Sequence, residues 1–332
     1  MNPSRISRIR RTLALAGAAS CLLLPTASAV AQTGAWPARP ITLVHPYAVG
    51  GPADNLARTL ARQLETRLKQ TVIVEGKGGG GATIGTGFVA RARPDGYTLL
   101  VSTSAGHVVT PLMQKIPYDG IADFAFIGVV ANQPNVLVAH PSLPASNLGE
   151  LIALVRKEPG KLNYASAGTG GATHLGAEAI WQKAGIQVTH VPYAGAAPAL
   201  KDLLGGQVQL GMLNLSATRA HLEKGTLKGL VYGGAKRAAA LPQVQTLAEA
   251  GLAGAEVTTW YTLAAPKGTP PEVLDLLART MTEINADPAH QAFLESQGAE
   301  RLDLSPAQTT AFVQRDKDAM VKLLGSLNLL DK

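Results

Sequence analysis

One short segment holds the residue types that can bind an anion through the main chain. It runs from Tyr47 through Val49, Gly50 and Gly51 to Asp54. The two glycines carry no Cβ, so a ligand can come close to the backbone. If a helix starts here, the aspartate complements the helix dipole or caps a free amide, and the remaining free amides favour an anion. The pattern predicts either an anion site or a tight turn that binds nothing, since such turns are common in α/β proteins.

The sequence on either side of this turn predicts the elements that hold it. Before it, Ile41–His45 is apolar and rich in β-branched residues. After it, leucines recur at every fourth position from Leu56 to Leu68, which is a helical spacing. Pro52 suits the first helical position, where its missing N–H costs nothing. We therefore predict a strand, a glycine turn and a helix N-terminus.

The same order of strand, small-residue turn and helix start recurs downstream. Hydroxyl-bearing and small residues occupy these later turns, and they provide further candidates for contact with a ligand. At the end of the strand Tyr97–Ser102 the same residue types are equally compatible with an ordinary capped helix start. The downstream candidates are Ser104, His107, Ser166, Gly168, Thr169, Thr173, Tyr193, Gly195 and Asn214.

Three motifs resemble enzyme signatures, but each lacks a required residue or the required order. Lys77 precedes its glycines instead of following them, so the Walker order is absent; we predict instead a flexible turn that lets another backbone approach. A dinucleotide fingerprint beginning at Gly168 has Thr173 where its third glycine belongs. A nucleophile elbow at Ser166 has Tyr164 where glycine is required. The seven histidines show no HxH or HExxH spacing. We therefore expect no catalytic residue, metal or cofactor, and a binding protein instead of an enzyme.

The first 31 residues predict a secretory signal peptide. Four arginines precede an apolar run from Leu13 to Leu24, and small residues follow up to Ala31. We predict cleavage before Gln32 and export to the periplasm. Lipidation of Cys21 is the alternative, because the residues before it weakly resemble a lipoprotein box. Cleavage would remove 31 of 332 residues, the single cysteine and four of the charges that give +7, leaving 301 residues and a net charge of +3.

Length and composition limit the class of protein further. The mature length is enough for two ordinary domains, and no later apolar run is long enough to span a membrane. Positive charge is scattered and aromatic residues make up 5% of the chain, which argues against nucleic-acid binding and allows an anionic small molecule. The alternation of predicted strands and helices favours α/β domains with largely parallel sheets.

Several longer segments resemble one known family. The segments are PDGYTLL at 94–100, IPYD at 116–119, KLNYASAG at 161–168, HVPY at 190–193, APALKDLLGGQV at 197–208 and PKGTPP at 266–271. On these segments the chain is similar to the Bug family, the periplasmic receptors of tripartite tricarboxylate transporters. The resemblance extends from Trp36 to the C-terminal helices.

This resemblance implies a type II periplasmic-binding fold, in which two α/β lobes enclose a ligand cleft and are joined by two crossing strands. It implies one lobe from residues 32–133 and 258–332, a second from 134–257, and hinge crossings near 132–141 and 255–264. It also implies capture of a small carboxylate and its delivery to membrane subunits of a transporter. We expect a monomer that binds no nucleic acid.

The resemblance further implies that the ligand carboxylate meets the first turn at Gly50 and Gly51, with bound waters near Asp54. The residues facing them would be Ser166, Thr169 and those after Tyr193. Three departures bear on the ligand. Pro52 and Ala53 offer no hydroxyl, Gly76-Lys77-Gly78-Gly79 replaces an Asn-Arg-Pro-Gly pattern, and Leu213 stands where an aspartate often precedes Asn214. Loss of that acid removes an acceptor for an amino group. We therefore expect the ligand to be a mono- or dicarboxylate, aromatic acids included, in preference to an amino acid.

Two other function classes stay open from the sequence. A ligand-sensing adaptor for a signalling partner needs the same closing cleft, and neighbouring genes would separate it from a transport receptor. A hydrolase that uses Ser166 would turn over esters, and Ser166→Ala would abolish that activity.

Overall fold

Two five-stranded sheets organise the chain in the computed structural model, which describes residues 36–331. The predicted signal peptide lies outside the described residues. The strands are β1 (Ile41–His45), β2 (Val72–Gly76), β3 (Thr98–Thr103), β4 (Phe124–Gln133), β5 (Asn135–Ala139), β6 (Asn163–Ser166), β7 (Thr189–Pro192), β8 (Leu210–Asn214), β9 (Lys228–Tyr232) and β10 (Thr259–Pro266). In the part of the chain that the structure describes, no helix combines the length and the hydropathy needed to cross a membrane.

Helices cover these sheets and follow most of the strands. They are α1 (Pro52–Leu68), α2 (Thr83–Ala90), α3 (Thr110–Met113), α4 (Leu148–Lys157), α5 (Ala172–Ala184), α6 (Ala196–Leu204), α7 (Leu215–Glu223), α8 (Pro271–Ala286), α9 (Pro288–Ser296) and α10 (Pro306–Leu327). A 3₁₀ turn at Gly80–Ala82 precedes α2, and a π-helical turn at Ala105–Val109 precedes α3.

The first sheet has the strand order β2-β1-β3-β10-β4, and the second has β7-β6-β8-β5-β9. Within the first, β1 pairs parallel with β2 and β3, while β10 runs antiparallel between β3 and β4. Within the second, β6 pairs parallel with β7 and β8, and β5 runs antiparallel to its two neighbours. Helix-covered sheets of this kind need strands that are apolar on both faces. Every residue of β5 is accordingly buried: Leu137 and Ala139 belong to one core cluster, Val136 and Val138 to another.

The chain crosses between the sheets twice. β4 ends at Gln133 in the first sheet and β5 begins at Asn135 in the second. The return falls between the end of β9 at Tyr232 and the start of β10 at Thr259. We call the part built on the first sheet lobe 1 and the part built on the second lobe 2. The predicted two-lobe α/β fold with two crossings is confirmed, and the exact lobe boundaries remain predictions.

Helix α1 forms as its leucine spacing predicts. Leu56, Leu60 and Leu64 are buried, Pro52 occupies the first turn, and the helix ends at Lys69 in the left-handed conformation. Each of these features matches a known preference of helix interiors and ends.

The sequence also predicts that Ser146 caps a helix, that Pro198 starts another and that residues 246–250 form a short helix. The structure differs at all three. The cap of α4 is Asn147, whose side chain accepts from the amide of Glu150, and not Ser146. Helix α6 begins at Ala196, two residues before the proline predicted to start it. The helix predicted over 246–250 is a set of turns with a single i to i+4 bond, from the Ala250 amide to the Thr246 carbonyl. One such bond does not overcome the cost of starting a helix.

A buried asparagine holds the crossing region together. Asn135 is fully buried, and its Nδ2 donates to the Val257 carbonyl at 2.8 Å. Its Oδ1 accepts from Asn214 Nδ2 at 2.9 Å and from Thr259 Oγ1 at 3.1 Å. One side chain therefore joins the starts of β5 and β10 to the end of β8.

Asn135→Ala should lower the free energy of unfolding by about 3 kcal/mol, because it removes three buried hydrogen bonds and leaves their partners unpaired. Urea denaturation at neutral pH measures this loss. The matched control is Asn147→Ala, which removes only the exposed cap of α4 and should cost about 1 kcal/mol. Equal losses in the two variants would show that the crossing network adds nothing beyond an ordinary cap.

Candidate ligand site

A cavity with an empty volume of about 460 Å³, which includes some open solvent, lies between the two lobes. Its walls are Tyr47, Ala48, Gly51, Pro52, Ala53, Gly81, Ala105, Ala167, Gly168, Thr169, Gly171, Ala172, Thr173, Ala196, Asn214, Thr259 and Tyr261. All of these residues carry neutral side chains, and ten of them are alanine or glycine. Small side chains leave the main chain accessible to a ligand.

Four helices present their N-termini to this cavity. Gly51 caps α1, Gly171 caps α5 and Asn214 caps α7, and all three residues line the wall. The fourth helix is α6, whose first residue, Ala196, also lines the wall. The first amides of a helix have no intrahelical acceptor, and the dipole places partial positive charge there. The cavity is therefore suited to an anion without any cationic side chain in its walls.

The first turn is held from behind by Asp54, which is 3% exposed. Its Oδ2 accepts from the Gly50 amide and from Arg58 Nε, each at 3.0 Å. Its Oδ1 contacts His45 Nε2 at 3.1 Å and Arg58 Nη2 at 3.0 Å. Burial opposes ionisation, but hydrogen bonds from Arg58, the Gly50 amide and His45 outweigh it and hold the pKa of Asp54 below its ordinary value. Asp54 thus accepts from the amide of Gly50, which lies just before the helix, and no side chain caps α1 itself.

Three side chains hold the turn of lobe 2 that faces the cavity. Ser166 Oγ accepts from the Gly168 amide at 3.1 Å, and Thr173 Oγ1 accepts from the Ala167 amide at 3.0 Å. His174 Nδ1 accepts from the Gly170 amide at 3.2 Å. These bonds fix the backbone that forms this wall.

Ser166 does have a histidine partner, although not the neighbouring His174. Its Oγ lies 2.7 Å from Nε2 of His190, whose ring stacks on His174 with centroids 4.1 Å apart. Burial and the adjacent His174 lower the pKa of His190 to about 3. A general base works best with a pKa near the working pH, and Ser166 is fully buried behind the wall. This geometry supports the turn and does not suit nucleophilic attack.

The two lobes touch through their backbones beside the cavity. The Ala48 amide donates to the Ala194 carbonyl at 2.8 Å. A Cβ on Gly81 would lie 2.6 Å from the Thr169 carbonyl oxygen, and a Cβ on Gly195 would lie 3.0 Å from the Ala48 nitrogen. The prediction that the glycine-rich turn admits another backbone is confirmed. The structure is a closed arrangement in which glycines make the contact possible.

The structure brings six of the predicted site residues to the cavity wall. They are Tyr47, Gly51, Gly168, Thr169, Thr173 and Asn214. Ser166 and Asp54 lie behind the wall as described, and Gly50 borders a neighbouring groove between α1 and α6. Val49 is 59% exposed to solvent.

The other predicted residues point elsewhere because protein groups already engage them. Ser104 Oγ donates to Asp316 of α10, and Tyr193 Oη donates to Asp202 at 2.8 Å. Gly195 packs against the backbone of lobe 1 and caps α6. His107 contacts the Gly120 carbonyl through Nδ1 at 2.7 Å and packs in an aromatic cluster, where burial lowers its pKa to about 4. In the turn after β3, Ala105 lines the cavity and the predicted Ser104 and His107 do not.

Sequence reasoning missed Thr259 and Tyr261, which line the cavity from β10. Alternation along the strand places both on one face. The available signal was a pair of hydroxyl-bearing residues two positions apart at the start of a mostly apolar strand.

Comparison with known proteins agrees with this geometry. A family model described as "Tripartite tricarboxylate transporter family receptor" matches residues 56–329. Protein BugT from Bordetella pertussis is 36% identical over 307 residues, covering 91% of this chain and 93% of its own length.

Solved structures show the same likeness. Periplasmic binding protein BugD aligns with a TM-score of 0.85 at 37% identity, covering 90% of this chain and 100% of its own. A protein from R. palustris solved with adipate aligns with a TM-score of 0.85 at 34% identity, covering 88% and 98%. MatC from Rhodopseudomonas palustris, solved with bound malate, aligns with a TM-score of 0.82 at 29% identity, covering 87% and 99%. This chain belongs to the tripartite tricarboxylate transporter receptor family, and it is a periplasmic solute-binding receptor of the Bug type and not an enzyme.

Proposed function

We propose that this receptor captures a small mono- or dicarboxylate, aromatic acids included, between its two lobes and delivers it to a tripartite transporter in the membrane. The observation that carries the proposal is the convergence of four helix N-termini on a cavity whose described walls are uncharged. Main-chain amides and helix dipoles bind an anion without a facing arginine. The likeness to proteins solved with adipate and malate supports a carboxylate as that anion.

The ligand carboxylate would lie on the free amides of the first turn. The Gly50 amide already donates to Asp54. The amides available to the ligand are therefore those of Gly51, Ala53 and Asp54. The side-chain carboxylate of Asp54 would not touch the ligand, because two like charges repel. Its role is to hold the turn in shape, and the remainder of the ligand would reach Thr169 and Thr173 across the cavity.

An amino-acid ligand fits these walls poorly. A buried ammonium group needs a carboxylate to balance its charge, and the described lining residues include none. Leu213 is fully buried in the core of lobe 2 and is not one of the residues that line the cavity, so the loss of an acceptor expected at this position does not bear on the ligand. The proposal is therefore restricted to carboxylates without an amino group.

The proposed function also requires export of the chain to the periplasm. The N-terminal pattern of residues 1–31 would direct the chain to the periplasm, in keeping with the periplasmic proteins of its family. There we infer a monomer that presents its loaded, closed form to the membrane subunits.

A thermal-shift screen of organic acids tests the ligand class. Because a ligand that binds only the folded state raises its stability, carboxylates should raise the melting temperature. The corresponding amides, which lack the charge, should not. Shifts produced only by neutral or cationic compounds would contradict the anion site.

Asp54→Ala should weaken binding of the strongest carboxylate from that screen by about 1–2 kcal/mol, the usual cost of a lost cap, as measured by calorimetry. Asp275→Asn, an exposed carboxylate on α8, is the control and should leave affinity unchanged. Normal binding by Asp54→Ala would show that the turn does not need its carboxylate.

The stability that Asp54 contributes should depend on pH. Its folded pKa is lowered, so its contribution is fully present above the ordinary value of 3.8 and is lost as the pH falls through the lower folded pKa. Urea unfolding between about pH 2.5 and 6 should show wild type and Asp54→Asn converging below about pH 3.8. A constant difference over this range would mean that the carboxylate is not the titrating group.

Closure should be measurable by small-angle scattering, with a smaller radius of gyration at saturating ligand. Gly81→Ala should block closure, because its Cβ would meet the Thr169 carbonyl of the other lobe at 2.6 Å. Gly80→Ala has a similar positive φ, but its Cβ would meet only side chains of its own lobe, those of Thr83 and Ile84. Affinity should fall about tenfold or more in the first variant relative to the second. Equal effects would mean that backbone strain, and not contact between lobes, is responsible.

A further inference from the structure

Tyr261 lies at the cavity wall on β10, close to the crossing between the lobes. It is 2% exposed, and in the sheet it pairs with Thr103 of β3 on one side and Ala131 of β4 on the other. Trp260, its neighbour in the strand, packs near His107 on the opposite face. The backbone of Tyr261 is therefore fixed by pairing with two strands, and the residue lines the cavity.

The hydroxyl of Tyr261 differs from the other buried polar groups of the wall. Tyr47 Oη bonds to Thr103 Oγ1 at 2.6 Å, Thr259 Oγ1 donates to Asn135, and Asn214 Nδ2 does the same. Among residues 36–331, no hydrogen bond to a protein group engages the Tyr261 hydroxyl. Tyr261 lines the cavity, and polar groups removed from water are nearly always hydrogen-bonded. A hydroxyl without a protein partner is therefore suited to pair with a ligand that fills the cavity.

The protonation state of this group defines what it can recognise. Burial, with a smaller effect of nearby Tyr47, raises the pKa of Tyr261 well above its ordinary value. The residue is therefore a neutral phenol at any physiological pH and offers an O–H donor. The matching ligand atom is an acceptor oxygen, and a bond to a carboxylate oxygen is stronger than one to a neutral group.

The sheet order separates this donor from the first turn. β3 lies between β1 and β10, and neighbouring strands are about 4.8 Å apart. The backbone of Tyr261 is therefore about 10 Å from the strand that leads into the first turn. A ligand carboxylate on the first-turn amides leaves Tyr261 to meet a different part of the same molecule.

We propose that Tyr261 is a specificity-determining residue, whose hydroxyl donates to a second oxygen function of the ligand and selects such acids over those with a plain apolar tail. This inference rests on the proposed carboxylate site. An apolar tail that covers this hydroxyl would remove it from water and leave it unpaired. Sites built to hydrogen-bond a ligand group discriminate strongly against analogues that lack it.

The test compares wild type with Tyr261→Phe, which removes only the hydroxyl. The probes are succinate, glutarate and adipate, each matched with the monocarboxylate of equal chain length: butyrate, pentanoate and hexanoate. Calorimetry should show that wild type prefers the dicarboxylate of the best-bound pair. In Tyr261→Phe the dicarboxylate should weaken by about tenfold or more, and the monocarboxylate should change by less than about twofold.

Tyr97→Phe is the matched control, because its hydroxyl lies outside the cavity and accepts from the Ala38 amide. It should retain the wild-type preference for dicarboxylates. The melting temperature without ligand gives a second readout. Loss of a hydroxyl with no protein partner should not lower it in Tyr261→Phe, so a large drop would show a structural role and overturn the proposal.

The remaining outcomes distinguish the selectivity role of Tyr261 from the proposed carboxylate site. A dicarboxylate that binds Tyr261→Phe as tightly as wild type, or an equal loss for both members of a pair, overturns the selectivity role and leaves the carboxylate site intact. Failure of wild type to bind any of the six probes also overturns it. The proposed function itself fails only if the wider screen of organic acids finds no carboxylate ligand.

Discussion

An anion held without a positively charged side chain has to be balanced by main-chain amides, and a single helix end supplies only partial charge. Several helix N-termini must then meet at one point, with small residues around them so that a ligand can reach the backbone. The cavity between the lobes shows both features: α1 comes from lobe 1, while α5, α6 and α7 come from lobe 2. The proposed charge balance is complete only when the lobes are together, which connects anion binding to closure.

The same constraint explains why a buried aspartate sits beside a proposed anion site. Asp54 accepts from Gly50, His45 and Arg58, and the Arg58 guanidinium pairs with both of its oxygens. The aspartate charge is thereby balanced within lobe 1, behind the turn. The amides that follow remain oriented toward the cavity, and the carboxylate acts as a support for the turn without competing with the proposed ligand.

Contact between the lobes depends on backbone as well. Where Gly195 meets Ala48 and Gly81 meets Thr169, main-chain atoms approach to distances that leave little or no room for a Cβ on the glycine. The glycines on both sides are therefore needed for shape. Tyr261 and the Asn135 network lie at the crossing strands, so the residues at the back of the cavity also belong to the region that joins the two lobes.

The sequence alone determined the order of strands and helices, the two-lobe α/β fold, the family and the first turn as the centre of the candidate site. These features are local: hydrophobic spacing, proline at a helix start and glycine in a turn act over a few residues. Tertiary structure decided which side chains face the cavity. Ser104, His107 and Tyr193 have suitable chemistry and adjacent positions, yet each is engaged by a distant partner: Asp316, the Gly120 carbonyl or Asp202. Tyr261 came to the wall because β10 inserts between β3 and β4 after more than a hundred intervening residues. Such pairings depend on how separated segments pack, and a local pattern carries no information about that.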